Sequence, residues 1–281
     1  MVAMIFETGD NQIFDEELKK NTESVLEYAI LYKYMSVEGT IEALKNSTIK
    51  FSAPETFNDP FDCDSRIIDL SNPSEEYYKH IVDIIAPNAK FAQRKRKLIE
   101  IRKQGIHLTV ENVKKVLNQK IACLTIHYNN LLMWAHYAGG HTGCCIGWDF
   151  ERLFRSLIPS FGSVRCLKVK YVDDLPIIDY FKCPKRAAIS WSFVKSNVWQ
   201  YEDEIRLVVE DSPESLCSYV PVPSNIFKAI YLGTKISEEK KNEIIQICRD
   251  KYSGMKIYKM ELKSGKFELE PVQIPEVMLS H

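Results

Sequence analysis

Lys195-Ser196-Asn197-Val198-Trp199-Gln200-Tyr201-Glu202-Asp203-Glu204-Ile205-Arg206-Leu207-Val208-Val209 reads as a loop running into a strand. Side chains on a strand alternate between faces. Ile205, Leu207 and Val209 therefore point one way, and Glu202, Glu204 and Arg206 the other. Buried charges are costly unless paired. The charged face is then either open to water or the lining of a polar cleft, and the nearby aromatics Trp199 and Tyr201 make that cleft the place to look for chemistry.

Strand and helix signals surround this segment without a regular alternation. Upstream, a helical pattern runs from Phe14 to Tyr28 and Leu31 to Tyr34 reads as a strand. Ser36 is placed to cap a helix over Val37–Lys45, Thr48 to Ser52 is a second strand, and Pro54 to Pro60 is a turn-rich loop. Ser74 opens a helix with the apolar stripe Tyr77, Ile81, Ile84 and Ile85; the basic run Lys90–Lys103 and Thr109–Gln119 are also helical. Ile121–Thr125, Gly143–Asp149 and Val164–Val172 are strands, with a helix over Asn130–Tyr137. Downstream come strands at Ser218–Val222 and Ala229–Leu232, a helix from Ser237 to Lys251, and a hairpin of Lys256–Leu262 with Lys266–Leu269. The fold class is α+β, with mixed, mainly antiparallel sheets and a helical insertion. One domain over 1–281 is expected, made of a strand–helix–strand unit at 31–70, a helical insertion or lid at 74–120, and a β-rich body at 121–281.

Composition narrows the functional classes. With 281 residues and 45% hydrophobic content, the chain is long enough to bury a full core. Lys and Arg number 37 against 38 acids, so no global basic field advertises nucleic-acid binding. The eight cysteines include no Cys-x-x-Cys pair; Cys144 and Cys145 fall in an apolar strand as inert small hydrophobes. Neither a secretory leader nor a spanning segment is visible, which points to a reduced cytoplasmic protein with no membrane partner.

Two other constellations carry chemistry. Asp59, Asp62 and Asp64 crowd one loop and could hold Mg²⁺ for a nuclease, with the Lys90–Lys103 run gripping phosphates. Asn58-Asp59-Pro60 equally reads as an Asx turn satisfying its own backbone, and the basic run as a solvated helix face. Trp134 and Tyr137 share a helix face, the ordinary signature of core, and His136 beside them reads as a structural histidine or a base. A zinc site from His136, His141, Cys144 and Cys145 is disfavoured by the spacing of the histidines.

Several ordered segments resemble a bacterial family, domain-of-unknown-function family 2971 (DUF2971), over most of the chain from Leu31 to Leu269. They are Leu31-Tyr32-Lys33-Tyr34, Phe51-Ser52-Ala53-Pro54 with Phe57-Asn58-Asp59-Pro60-Phe61-Asp62, Leu131 to Ala138, His141 to Gly147, Lys195 with Trp199, Tyr201-Glu202-Asp203-Glu204 and Arg206, and Leu232-Gly233. More distantly, the layout is similar to the ADP-ribosyltransferase superfamily, in which an early His or Arg, a central Tyr or Ser and a late Glu hold NAD. That resemblance implies an NAD-using transferase acting on a nucleic acid or protein, in phage defence or a toxin-like system. Lys33 stands at the early position, a departure from His or Arg; Tyr137 is the central aromatic and Glu204 the late acid, preceded by Glu202. Cleaving the bond to nicotinamide passes through an oxocarbenium-like state. The resemblance assigns Glu204 to stabilise that charge and Glu202 to take a proton from the acceptor. Tyr34 belongs to the same nucleotide-holding set, in which Trp134, Tyr137 or Trp199 would stack on the ring and Lys33 or Arg206 would meet the pyrophosphate. A non-catalytic module binding a nucleotide or partner on the Glu202, Glu204 and Arg206 face is the remaining alternative.

Overall fold

The structure, a computed structural model, describes residues 9–71, 73–104, 109, 118–210 and 217–275. Its strands in chain order are β1 (Ile30–Met35), β2 (Thr48–Ser52), β3 (Ile68–Asp69), β4 (Gln119–Thr125), β5 (Cys144–Asp149), β6 (Val164–Lys168) and β7 (Lys170–Val172). They continue as β8 (Ile178–Asp179), β9 (Val194–Ser196), β10 (Glu204–Glu210), β11 (Cys217–Pro221), β12 (Phe227–Leu232), β13 (Lys256–Leu262) and β14 (Leu269–Gln273). A ten-stranded sheet runs β11-β2-β4-β1-β5-β12-β13-β14, and β10 joins β4 to β6 beside that path. Within this sheet all pairs are antiparallel except β12 with β13. Helices and a mixed, mainly antiparallel sheet make an α+β fold.

Alternation sets the two faces. Ile205, Leu207 and Val209 join Leu31, Leu124, Ile146 and Trp148 in the largest core cluster. The helices Val37–Asn46, Phe150–Phe161 and Glu238–Lys251 contribute Leu44, Leu153, Leu157, Ile244 and Cys248 to it. The other face carries two smaller clusters. One gathers Ile121, Leu167 and Val208 with Trp191 and Phe193 of the Pro184–Phe193 helix. The other gathers Tyr34, Cys145 and Tyr231 with Trp134 of the Leu131–Tyr137 helix.

Local signals account for most boundaries. Ser36 caps its helix by accepting from the Gly39 N–H, and Ser74 and Ser237 cap theirs in the same way. Gly143 and Gly233 sit where strand ends press together: a Cβ on Gly143 would lie 2.2 Å from the Met35 carbonyl oxygen, and one on Gly233 2.2 Å from that of His141.

Other boundaries depart from the sequence reading. The expected strand Val164–Val172 breaks at Val169, whose N–H donates to the Glu204 carbonyl; β6 then pairs with β10 and β7 with β9. The return strand of the last hairpin is Leu269–Gln273, the three residues Lys266 to Glu268 before it having been read as strand. The helices Phe150–Phe161 and Pro184–Phe193 were not foreseen, the first holding Pro159 in its last turn. In the Glu75–Ile85 helix the expected stripe is split: Val82 is buried and Tyr77 meets Phe181, while Ile84 and Ile85 are exposed. The helix expected over Thr109–Gln119 lies almost wholly outside the described residues, and Gln119 itself opens β4.

One irregularity positions the site. β1 meets β4 at a single register pair, Tyr32 with Thr125, and β2 meets β4 only at Ser52 with Ile121. Beyond those points the strands part, and the sheet opens.

Candidate functional site

A cavity of about 190 Å³ fills this opening, on the sheet face of Glu204. Tyr32, Lys33 and Tyr34 of β1, Thr125 of β4, Phe57 and Asp62 of the loop after β2, Tyr137, Lys195, Glu202 and Glu204 line it. Lys33, Tyr34, Tyr137, Glu202 and Glu204, all singled out from the sequence, therefore meet around one hollow.

The route by which the two glutamates arrive differs from the strand reading. Glu202 does not lie on β10. It ends a 3₁₀ turn, Asn197–Glu202, and Asp203 follows with φ 41° and ψ 53°. Asp is one of the few non-glycine types that adopts this left-handed conformation readily. The turn brings both carboxylates toward Lys195 of β9, whose Nζ lies 2.6 Å from Glu202 Oε2 and 3.2 Å from Glu204 Oε2. Thr125 fixes the turn by donating its hydroxyl to the Glu202 carbonyl at 2.6 Å. Asn130 ties three elements together: its Oδ1 caps the Leu131–Tyr137 helix, its Nδ2 donates to the Tyr201 carbonyl, and its N–H donates to the Tyr34 hydroxyl.

Arg206 belongs to the foundation of the site. It is 0% exposed; Nε and Nη2 donate to the two oxygens of Glu204 at 2.8 and 3.0 Å, Nη2 to Asp62 at 2.6 Å, and Nη1 to the Ser192 carbonyl at 2.8 Å. It does not line the cavity and has no donor fork left for a pyrophosphate, contrary to the expectation from sequence. Trp134 is likewise 0% exposed, edge-on to Tyr34 with its indole N–H donated to the Tyr128 carbonyl. It is core, as its helical spacing with Tyr137 warned, and does not face a ligand. Trp199 is half-buried over Lys195, 5.2 Å from Nζ to the ring, so it roofs the ammonium and is not among the cavity walls. His136, read as structural, is exposed beside Trp199 and Tyr201.

The electrostatics separate the two glutamates. Burial would raise the pKa of Glu204, but Arg206 and Lys195 outweigh it and hold the carboxyl well below its ordinary range. For Glu202 burial wins over the pull of Lys195 and, with Glu204 adding to it, its pKa is raised. Tyr137 donates its hydroxyl to Glu202 Oε1 at 2.5 Å, and burial followed by that bond pushes the phenol up. Burial works against the ammonium of Lys195, yet Glu204 and Asp62 keep it protonated. Lys33 Nζ donates to the Cys123 carbonyl at 3.1 Å, and burial lowers its pKa. Asp62, Glu202 and Glu204 thus face only Lys195 and Arg206 in the ion-pair cluster, one acid in surplus.

The aspartate loop does not form a metal cage. Asp59 accepts from the Phe61 N–H in an Asx turn, Asp64 caps the Ser65–Ile67 turn and pairs with Arg66, and only Asp62 turns inward to Arg206. No group of three or more His, Cys, Asp or Glu suited to a metal ion is found among the described residues. Burial pushes the Cys144 thiol up to about 12, in keeping with an inert side chain. No helix among the described residues is long and apolar enough to cross a membrane.

Sequence reasoning did not place Lys195, Asp62 or Thr125 beside the two glutamates. Lys195 carried a signal: a lysine between the aromatics Phe193 and Trp199, seven residues before the first glutamate. Asp62 was read within a family motif and in the Mg²⁺ alternative, with nothing local to link it to Arg206. Neither the curated proteins nor the solved structures compared with the chain gave a match. Residues 133–207, from the Leu131–Tyr137 helix through Glu202, Glu204 and Arg206, match the model of the family described as "Protein of unknown function (DUF2971)", in support of the family resemblance read from the sequence.

Proposed function

We propose that the chain is a DUF2971-family enzyme resembling ADP-ribosyltransferases, with NAD as its substrate in the cavity between β1 and β4 and a nucleic acid or protein as acceptor. The observation that carries this reading is the division of labour between two glutamates in one wall. A pair of carboxyls pushed to opposite protonation preferences is what acid–base chemistry at neutral pH requires. Glu204, clamped by Arg206 on both oxygens, is a fixed anion. It lends its field to a cationic transition state without needing to touch it. Glu202 keeps its raised pKa in a cavity wall and is the group that exchanges a proton.

The step balances as follows. The glycosidic bond from ribose to nicotinamide breaks, and nicotinamide leaves with the bonding pair as a neutral base. The acceptor's oxygen or nitrogen bonds to the same carbon, and its proton passes to Glu202. Tyr32, Tyr34 and Tyr137 supply aromatic walls for the bases, and Lys33 an ammonium for a phosphate. The phage-defence or toxin-like setting rests on the resemblance alone, and a cytoplasmic location on the cysteine pattern and the hydropathy of the sequence.

Nicotinamide release from NAD by the parent, Glu202→Gln and Glu204→Gln tests the reading. Loss of a positioned general base is expected to slow turnover by roughly 10²- to 10⁴-fold in Glu202→Gln while NAD still binds. Equal turnover by Glu202→Gln and the parent removes Glu202 from that role. NAD binding by the parent without any release would leave the cavity as a nucleotide-binding module.

A further inference from the structure

A second hollow, of about 250 Å³, borders the first, and Lys33 and Tyr34 line both. β1 and β2 are not paired with each other, and the Val37–Asn46 helix joins them over this space. Its walls carry donors and no acid: Lys33, Lys50, Thr48, Trp148 and Tyr219 are its polar members besides Tyr34 and the capping Ser36. Two of these donors are buried with nothing to bond. Trp148 is 0% exposed, its ring against Phe227, and its indole nitrogen has no partner; Thr48 is 6% exposed and its hydroxyl has none. A buried donor left unpaired costs about 1–3 kcal/mol, so folds rarely keep two in one cavity for packing alone.

The cations point the same way. Lys33 sits inside with its charge disfavoured by burial; Cys123 and Glu204 offset part of that and Lys50 adds to it. Lys50 is exposed at the rim, 5.8 Å from the Tyr219 ring across the β2–β11 pair. Two ammonium groups, an indole N–H and a hydroxyl around an acid-free hollow match the acceptor-only oxygens of a phosphoryl group.

We propose that this second cavity is a phosphate-binding subsite, held by Lys33, Lys50, Thr48 and Trp148. It does not depend on the transferase reading. Were that reading correct, the shared Lys33 would let a nucleotide in the first cavity place a phosphate in the second.

The probe is inorganic pyrophosphate, followed on the indole ¹⁵N–H signal of Trp148 and by calorimetry. Trp148→Phe assigns the signal. A saturable shift of that signal is expected, with affinity about tenfold weaker in Lys50→Gln, a change at the exposed rim equivalent to some 1.4 kcal/mol. Absence of any saturable shift or heat up to about 10 mM, an affinity limit near −2.7 kcal/mol, overturns the subsite; so does equal affinity in Lys50→Gln. If Trp148→Phe fails to fold, the Lys50→Gln comparison by calorimetry decides alone. ADP binding more tightly than pyrophosphate identifies a nucleotide as the source of the phosphate, equal binding a free phosphate, and adenosine binding as well as ADP counts against the proposal. Glu202→Gln should bind pyrophosphate as the parent does, so a failure of the transferase reading leaves this result intact.

Discussion

The Phe91–Gln104 helix and the Asp62–Lys195–Glu202–Glu204–Arg206 cluster are both dense in charge, and they spend it differently. On the helix, Arg94 pairs with Asp83, Arg102 with Glu75 and Lys97 with Glu100, and every one of these partners is more than a third exposed. Water screens them, and such pairs are worth about 0–1 kcal/mol each. In the cluster, side chains at 0–5% exposure have one another, the Ser192 carbonyl, the Tyr137 hydroxyl and the Cys63 thiol to replace their hydration. Here pairing is compulsory, because an uncompensated buried charge is destabilising by several kcal/mol. Solvent access, and not the number of charges, separates a solvated surface from a site that sets protonation states.

The sharpest way to break this contrast is Arg206→Met. It strips Glu204 and Asp62 of their shared guanidinium, and unfolding by urea should show a loss of about 3–5 kcal/mol. A loss below 1 kcal/mol would mean that water reaches the cluster after all. Glu204→Gln comes next, at about 1–3 kcal/mol at neutral pH for a charged hydrogen-bond acceptor replaced by a neutral one. Because the native pKa of Glu204 is depressed, its contribution is present above the ordinary carboxylate range and disappears as pH falls through the native value. The acid limb of a stability–pH curve should therefore flatten in Glu204→Gln. An unchanged limb would reassign the acid sensitivity to other groups.

Glu202 has the opposite sign. Its raised pKa favours the protonated native form, so its contribution is held at low pH and lost as pH rises through the native value. Glu202→Gln, a permanent mimic of the protonated acid, should change neutral-pH stability by no more than about 1 kcal/mol and remove that decline, even as turnover falls. A stability loss matching that of Glu204→Gln would show the two acids to be equivalent. The smallest effect belongs to the helix: Lys97→Ala should stay within about 0.5 kcal/mol, measured at low and high salt.

Much of this could be read along the chain. The alternation of Ile205, Leu207 and Val209 against Glu204 and Arg206, and the serine caps at 36, 74 and 237, are properties of neighbouring residues, so local pattern reveals them. The convergence of Lys33, Tyr137 and Glu204 was legible through the family resemblance, since no local rule links them. Where the reading failed, a local rule met a non-local constraint. Continuing the alternation back to Glu202 ignored the left-handed turn at Asp203, which Thr125 and Asn130 hold from distant elements.

The amino-acid order by itself determined many of the strands and the serine-capped helices, because backbone sterics, capping and apolar periodicity act over a few residues. Only the tertiary structure decided that Arg206 is a pillar and not a ligand-binding arm, since its partner Asp62 lies 144 positions away. It also set the two glutamates apart, Glu204 with its pKa lowered and Glu202 with its pKa raised. Charge state depends on the number of waters and counter-charges within a few ångströms, and that count is fixed by the fold.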